Sequence, residues 1–407
     1  MQCWLGVGSD SHILIFSGET KMALLVLAVL LAAVAAIFLI PGSTPKISTR
    51  RHPHSLAVLE QVPVNDTQQW VLIRSENITN PIVLFVHGGP GTSQLTLIRR
   101  SSQPLEKYFT VVNWDQRGAA KSFAAGHDAA RMTMGQFVDD VIALSSYLAR
   151  RFHKEKIVLV GHSWGSVIGL LAASRSPHLV SAYIGIGQMS RMAESESLSY
   201  DWTLQQARKA KDTSSLRKLA EIGPPPYTGD NWQSKFMTER RILGKFGGEY
   251  YGSRIGAFGV VLKNLVFSRE YTMVDRINFF RGIVASVKAL YPALSMTDFF
   301  VNVPEVDIPV YFCLGRHDYE VPSVLSAKYF EALKAPEKLL VWFERSSHVP
   351  NIEEKDKFNE FMIKVVLPAL IDRERIRESS TSHRGRAAVM RHDTMATVHL
   401  LSHRSQP

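Results

Sequence analysis

The chain has 407 residues, 45% of them hydrophobic, and a formal net charge of +10. That is an ordinary globular composition, with room for one sizeable domain plus an insertion or tails. Half of the excess charge sits in the terminal segments 1–54 and 372–407, and no basic stripe with interleaved aromatic residues lies between them, so nucleic acid is not an expected partner. With Cys3 and Cys313 as the only cysteines, a disulfide framework is excluded.

After a short tail, 1–21, the run Met22 to Ile40 holds nineteen residues without a charge, between Lys21 and Pro41-Gly42. As a helix at ~1.5 Å per residue it nearly spans a hydrocarbon layer of ~30 Å, and it exceeds the ~7–15 residues of a secretory core. The expectation is a single-pass membrane anchor over 22–41, followed by a linker, 42–54. Val34-Ala35-Ala36 offers the alternative of a cleavage site, with translation from Met22 and a secreted product. Lys46, Arg50 and Arg51 favour a cytoplasmic body, while Asn65-Asp66-Thr67 and Asn77-Ile78-Thr79 are sequons that favour a lumenal one, so the side stays open.

Leu56 to Val64 and Trp70 to Arg74 read as two short strands forming a hairpin. The buried strand IVLFV follows and runs into His87-Gly88-Gly89-Pro90-Gly91; Tyr108 to Trp114 is another strand, ending in Asp115-Gln116-Arg117-Gly118. Thr133 to Phe152 is a helix, with Phe137, Val141, Leu144 and Leu148 at helical spacing. Strand Ile157 to Val160, small-residue helix Ser166 to Ser174 and strand Ala182 to Ile186 continue the alternation. Such βαβ order means a mostly parallel sheet covered by helices on both faces. It stops near Gln188, and residues 188–305 read as a helical cap with a helix stop at Gly223-Pro224-Pro225-Pro226. The core resumes over 306–371 with strand Pro309 to Leu314, helix Val324 to Leu333, strand Leu339 to Phe343 and closing helix Phe358 to Leu370. The first part of that core is 55–187. Residues 372–407, rich in Arg, Ser and His, read as a disordered tail.

The stretch Gly161-His162-Ser163-Trp164-Gly165, between a strand and a helix, fits a nucleophile elbow. A Cβ at Gly161 or Gly165 would collide with the neighbouring strand and helix. A serine hydroxyl needs a base, and in this arrangement an acid and then a histidine follow in the chain. Asp318 ends strand PVYFCLG and His348 follows the last strand, both past the carboxyl edge of a parallel sheet where ligands bind. Asp318 would hold the imidazole and His348 would take the Ser163 proton. Glu320 is a rival acid later in the loop, His162 a packing or cap-facing residue, His317 a solvated one, and His87 an orienter of its own loop. The oxyanion donors expected are the amide of Trp164 and that of Gly89, with Gly88 as its rival.

Together HGGPG at 87–91, WDQRGAAKS at 114–122, GHSWG at 161–165, GRHDYEVP at 315–322 and His348 resemble the proline iminopeptidase group of serine α/β-hydrolases, over about residues 55–371. The resemblance implies an α/β-hydrolase fold with a helical cap, no metal or other cofactor, and release of an N-terminal residue, often proline, from a small peptide. It implies a bracing role for Asp115 and Arg117, and cap glutamates that bind the free amine. Glu194, Glu196, Glu239 and Glu249 are the substrate-binding candidates, Asp201 being the other acidic residue considered. A second reading is a membrane-associated esterase, lipase or thioesterase on a hydrophobic acyl substrate, suited to the apolar stretch Phe258 to Phe280; a third is a non-catalytic binding protein. Epoxide and haloalkane hydrolysis need a carboxylate nucleophile where this chain has Ser163.

Overall fold

The structure is a computed structural model in which residues 40–123, 132–252 and 256–377 are described, with isolated positions at 22–29 and at 379. Most of the expected anchor over 22–41, and the tail beyond 379, therefore lie outside the described residues. Among the described residues no helix is long and apolar enough to cross a membrane.

Strands β1 (Leu56–Val64) and β2 (Thr67–Ser75) form the expected hairpin, joined at Asn65-Asp66, where Asn65 takes φ 51°. A two-residue hairpin loop needs that positive φ, and Asn tolerates it. Next to β2 runs β4 (Thr110–Asp115), antiparallel to it. From β4 onward β3 (Ile82–Val86), β5 (Ile157–His162), β6 (Val180–Ile186), β7 (Val310–Gly315) and β8 (Lys338–Phe343) pair in parallel, giving the order β1-β2-β4-β3-β5-β6-β7-β8. The central strands read as continuous apolar runs because helices cover both faces. Alternate side chains serve opposite layers. Leu84, Val112 and Leu159 pack under Phe137, Val141, Leu144 and Leu148 on one face, while Phe85, Val111, Val158 and Tyr311 pack against Phe358, Phe361 and Met362 on the other.

The longer helices are α1 (Leu95–Ser101), α2 (Met134–Arg151, capped by Thr133), α3 (Trp164–Arg175), then α4 (Met192–Lys209), α5 (Thr213–Ile222), α6 (Trp232–Lys245), α7 (Gly256–Val266) and α8 (Met273–Leu294) between β6 and β7, with α9 (Ser323–Ala332) and α10 (Lys355–Phe361) later. Helix α5 stops at Gly223, φ 70°, just before the proline run. The chain stays helical from α10 through residue 377, so residues 372–377 depart from the disordered tail read in the sequence. The reason is electrostatic: Arg373 donates to Glu337 at 2.7 Å and Arg377 pairs with Glu155, fastening the turn to the body.

The segment expected to be a linker also departs from that reading. Ser43 donates its amide to the carbonyl of Arg269 at 2.8 Å, and the buried Arg74 donates to Thr44 Oγ1 at 2.8 Å and to the Pro45 carbonyl at 2.5 Å. These residues form a strap across the body. A guanidinium withdrawn from water must find acceptors, and the strap supplies two.

One carboxylate ties the hairpin, the DQRG loop and α2 together. Asp140, fully buried on α2, accepts from Asn65 Nδ2 at 2.7 Å, Gln69 Nε2 at 2.9 Å, Gln136 Nε2 at 3.0 Å and both Nε and Nη2 of Arg117, at 2.9 and 3.0 Å. Removing one partner of a buried ion pair strands the other charge, at a cost of about 3–5 kcal/mol. Asp140→Ala should therefore lower the unfolding free energy by about that amount in urea titration, against less than ~1 kcal/mol for the exposed Arg217→Ala.

Candidate active site

The elbow follows from two close backbone contacts. A Cβ at Gly165 would stand 2.0 Å from the Val86 carbonyl oxygen and 2.6 Å from that of His87, and one at Gly161 would stand 2.5 Å from the Gly165 carbonyl oxygen. Only hydrogen fits at either position, so α3 crosses β3 and β5 at backbone distance. Between them Ser163 is forced to φ 54°, ψ −120°, a conformation that costs a non-glycine residue energy and clusters at active sites. It is held there by its amide donating to Ile186 O at 3.0 Å and by Ser166 Oγ donating to its carbonyl at 2.6 Å.

The HGGPG loop lies directly over this turn: a Cβ at Gly88 would be 3.1 Å from Ser163 Cβ and 2.8 Å from His162 Nδ1. Gly89 has φ 119°, closed to side chains. The amide of Trp164 opens α3 and so has no acceptor within the helix. Gln116, quoted within DQRG but given no role from sequence, joins these pieces. Its Nε2 donates to the His87 carbonyl at 2.7 Å, its amide donates to His87 Nε2 at 3.2 Å, and its Oε1 accepts from the buried Trp164 indole at 3.0 Å. Its neighbours Asp115 and Arg117 brace at one remove. Asp115 accepts from Ser93 Oγ, from Tyr271 OH at 3.0 Å and from the Lys121 amide at 3.1 Å, whereas Arg117 holds Asp140 and Asp66.

His348 and Asp318 come together as expected, Nδ1 to Oδ2 at 2.8 Å, both buried. Asp318 Oδ1 accepts from the Val321 amide at 2.9 Å, which fixes the carboxylate plane. The imidazole is boxed in, since a Cβ at Gly187 would be 2.8 Å from its Cε1 and its ring lies 4.6 Å from that of His162. Burial opposes charge on His348, but Asp318, with Glu320 and Glu249 behind it, outweighs this and pushes its pKa up to about 9. The other buried histidines stay neutral. Burial, then the nearby His348, holds His162 well below its usual value, and burial pushes His87 down to about 4. His162 does not face the cap: its Nε2 bonds the His348 carbonyl at 2.9 Å. His317 stacks on Tyr251 with centroids 4.4 Å apart.

Beside the Asp318–His348 pair the cap gathers acid. Arg240 on α6 donates to Glu196 Oε1 at 2.5 Å, to Glu239 Oε2 at 2.6 Å and to Ser199 Oγ at 2.8 Å, and its Nε lies 3.9 Å from Glu320. Burial raises Glu239, lifts Glu196 to about 7 and, with Glu320 adding repulsion, lifts Glu249 to about 8. The Glu249 carbonyl accepts the His348 amide at 3.1 Å, so this residue is fixed to His348 through the backbone. Glu194 is not part of this cluster: two residues from Glu196, it points to another side of α4 and pairs with Arg191 at the surface. Glu320, considered from sequence only as a rival acid, is part of it. Three carboxylates, Glu196, Glu239 and Glu320, thus lie within 3.9 Å of one guanidinium, and Glu249 lies near enough to Glu320 and His348 to feel both, beside the Asp318–His348 pair. Among the described residues no group of histidine, cysteine and acidic side chains is arranged to hold a metal ion.

The sequence pattern of the alpha/beta hydrolase fold matches residues 81–221. The probable aminopeptidase YbaC of Bacillus subtilis (strain 168) is 34% identical over 308 residues, covering 75% of this chain and 94% of that protein. The proline iminopeptidase of Heyndrickxia coagulans is 25% identical over 284 residues, covering 70% and 89%. Among solved structures, a proline iminopeptidase-related protein of Thermus thermophilus aligns with a TM-score of 0.55 at 18% identity, over 77% of this chain and 99% of that one, a likeness of fold. The chain belongs to the α/β-hydrolase family, among its proline iminopeptidase-like members. It is a hydrolase with a mostly parallel eight-stranded sheet.

Gln116→Leu keeps the volume but leaves the Trp164 indole and the His87 carbonyl without their partner. Since small displacements of catalytic groups cost up to ~100-fold, we expect kcat to fall about 10-fold or more with KM nearly unchanged. A lower Tm should accompany it, each stranded buried group costing about 1–3 kcal/mol. Steady-state kinetics and thermal unfolding of the same preparation check both.

Proposed function

We propose that this chain is a serine aminopeptidase of the proline iminopeptidase type, working through an acyl-enzyme. Ser163 Oγ attacks the carbonyl of the substrate's first residue while His348 Nε2 takes its proton, with Asp318 holding the imidazolium. The amides of Trp164 and Gly89 receive the oxyanion. The proton then passes from His348 to the leaving amine, and water repeats the sequence on the ester to free Ser163.

The observation that carries the peptidase reading is the surplus of carboxylate beside the Asp318–His348 pair. Glu196 and Glu239 already share Arg240. Glu249 and Glu320, the two whose charge reaches His348, have no such full partner, and burial, with repulsion from Glu320 added, raises Glu249. An α-amino group, with a pKa of about 8, is the cation that would relieve this repulsion. An acyl ester carries no charge to offer there. We also propose that Met22 to Ile40 anchors the chain in a membrane; the length and apolarity of that run support this.

A fluorophosphonate probe should label the protein and fail to label Ser163→Ala, whose turnover should drop by roughly 10⁴-fold or more. Labelling that survives this substitution would remove Ser163 from the mechanism.

Glu249→Gln should raise KM for prolyl arylamide and leave hydrolysis of simple esters nearly untouched. Glu320→Gln removes a negative charge that stabilises the imidazolium. His348 must be neutral to accept a proton, and its pKa near 9 would fall, so the acidic limb of the kcat/KM profile should move to lower pH. Equal cleavage of free and N-acetylated substrates would hand the site to the esterase reading.

A further inference from the structure

The strap and the two helices beside it form an unusual surface. Along α8, Val274, Ile277, Phe280 and Val284 are exposed, Val284 at 60%, while Asp275, Asn278, Phe279, Gly282 and Ser286 on the opposite side are buried. The spacing of three, three and four residues makes the exposed set one stripe of the helix. Beside it the end of α7 exposes Leu262 and Val266, and Phe267 follows at 67% exposure. The two helices share one apolar floor, built from Leu265, Phe279 and Tyr271 with Val261 and Ile283. Arg276 of α8 staples them by donating to the carbonyls of Leu265 and Ser268, at 3.0 and 2.9 Å. Their outer residues therefore adjoin.

Charge on this face has one sign. Lys263, Arg269, Arg281 and Lys288 are exposed, and the strap continues into exposed Lys46, Arg50 and Arg51. The acidic residues of α7, α8 and their connection are Glu270 and Asp275, both buried and paired with Arg99 and Lys121.

The place where the chain enters this face says what covers it. Ser43 is bonded to Arg269, two residues from Phe267, and a Cβ on Gly42 would stand 2.1 Å from the Glu270 carbonyl oxygen, so the strap runs backbone to backbone along the α7–α8 connection. The uncharged run ends at Ile40. Three residues reach at most ~10 Å. An apolar segment lodged in a bilayer would therefore emerge within ~10 Å of Ser43, itself tied to Arg269 two residues from Phe267, with little slack to hold the body away from the surface.

We propose that the outer face of α7 and α8 lies in the surface of a lipid bilayer, its apolar stripe in the headgroup–acyl boundary and its lysines and arginines on anionic headgroups. A helix with an apolar stripe flanked by basic residues binds this way, and a second attachment strengthens what a single one holds weakly. The inference rests on anchoring by Met22 to Ile40 only for how the face is brought to the lipid.

The test uses the full chain in phosphatidylcholine–phosphatidylglycerol vesicles, with Cys3→Ser as background and the buried Cys313 left in place. An environment-sensitive fluorophore is attached to Phe267→Cys, Ile277→Cys or Val284→Cys, and to Arg217→Cys on α5 as the distant control. Spin-labelled acyl chains should quench the first three about threefold more than the control, as expected for a face set ~5–10 Å into the boundary. Quenching equal to the control overturns the proposal. So does blue-shifted emission without quenching by lipid, which would mean that the apolar leader or a second copy of the chain covers the face. Alkaline carbonate extraction separates the two readings. Release of the protein together with lipid quenching at neutral pH removes the anchor and keeps the face, while retention without quenching removes the face and keeps the anchor.

Discussion

Everything at this site depends on how closely α3 can lie on the end of β3. The Val86 carbonyl oxygen would be 2.0 Å from any Cβ at position 165, so the approach exists only because residue 165 has none. That one contact sets two things. It bends the chain at Ser163 into a backbone conformation that raises the serine above the strand ends, and it brings the HGGPG loop, which leaves β3 immediately after Val86, over the same serine. Ser163 and the HGGPG loop are thus registered against each other by backbone, the part of a protein least able to drift. Gln116 then locks the arrangement through side chains, with a hand on each piece.

The three histidines around the serine show how one side chain is given three roles by its surroundings. His87 and His162 are buried without an anionic partner and stay uncharged, so they serve as hydrogen-bonding spacers, one for the loop after β4 and one for the loop that carries His348. His348 is equally buried but faces Asp318 and the acidic cap, and can carry a proton. Burial alone does not decide; the presence of a carboxylate does.

What could be read from the sequence was what is local along the chain. The elbow, the glycine loop and the order of serine, acid and histidine each lie within a few residues or follow from strand–helix alternation, and the sheet could be laid out from runs such as IVLFV and VYFCLG. Long-range pairings could not be read. Glu196, Glu239, Glu249 and Glu320 come from three different stretches, and only the folded chain shows that three of them meet around Arg240 while Glu249 comes close to Glu320 and His348. Sequence offered Glu194 on equal terms with Glu196, because nothing in a list of acidic residues says which side of a helix will be inside. Asp140 is hidden for the same reason: it is a charged residue at the edge of the apolar stripe of its helix, and its five hydrogen bonds come from partners 4 to 75 residues away. Arg373 and Arg377, which keep the last helix going, were read as part of a charged tail because their acceptors, Glu337 and Glu155, are remote.

The strap alters where this protein begins as a folding unit. By composition the body starts near residue 55, after a polar, proline-containing stretch of the kind that joins domains. By contact it starts at Gly42. Cutting the chain between Ile40 and Gly42 would leave the strap's bonds to the body in place. Cutting it a few residues later would take Thr44 and Pro45 away from Arg74, leaving a buried guanidinium with Glu106 alone, and would uncover the peptide backbone at Glu270. A protease, or an experimenter choosing the first codon of a shortened gene, thus has a margin of only a few residues between a released enzyme and a damaged one.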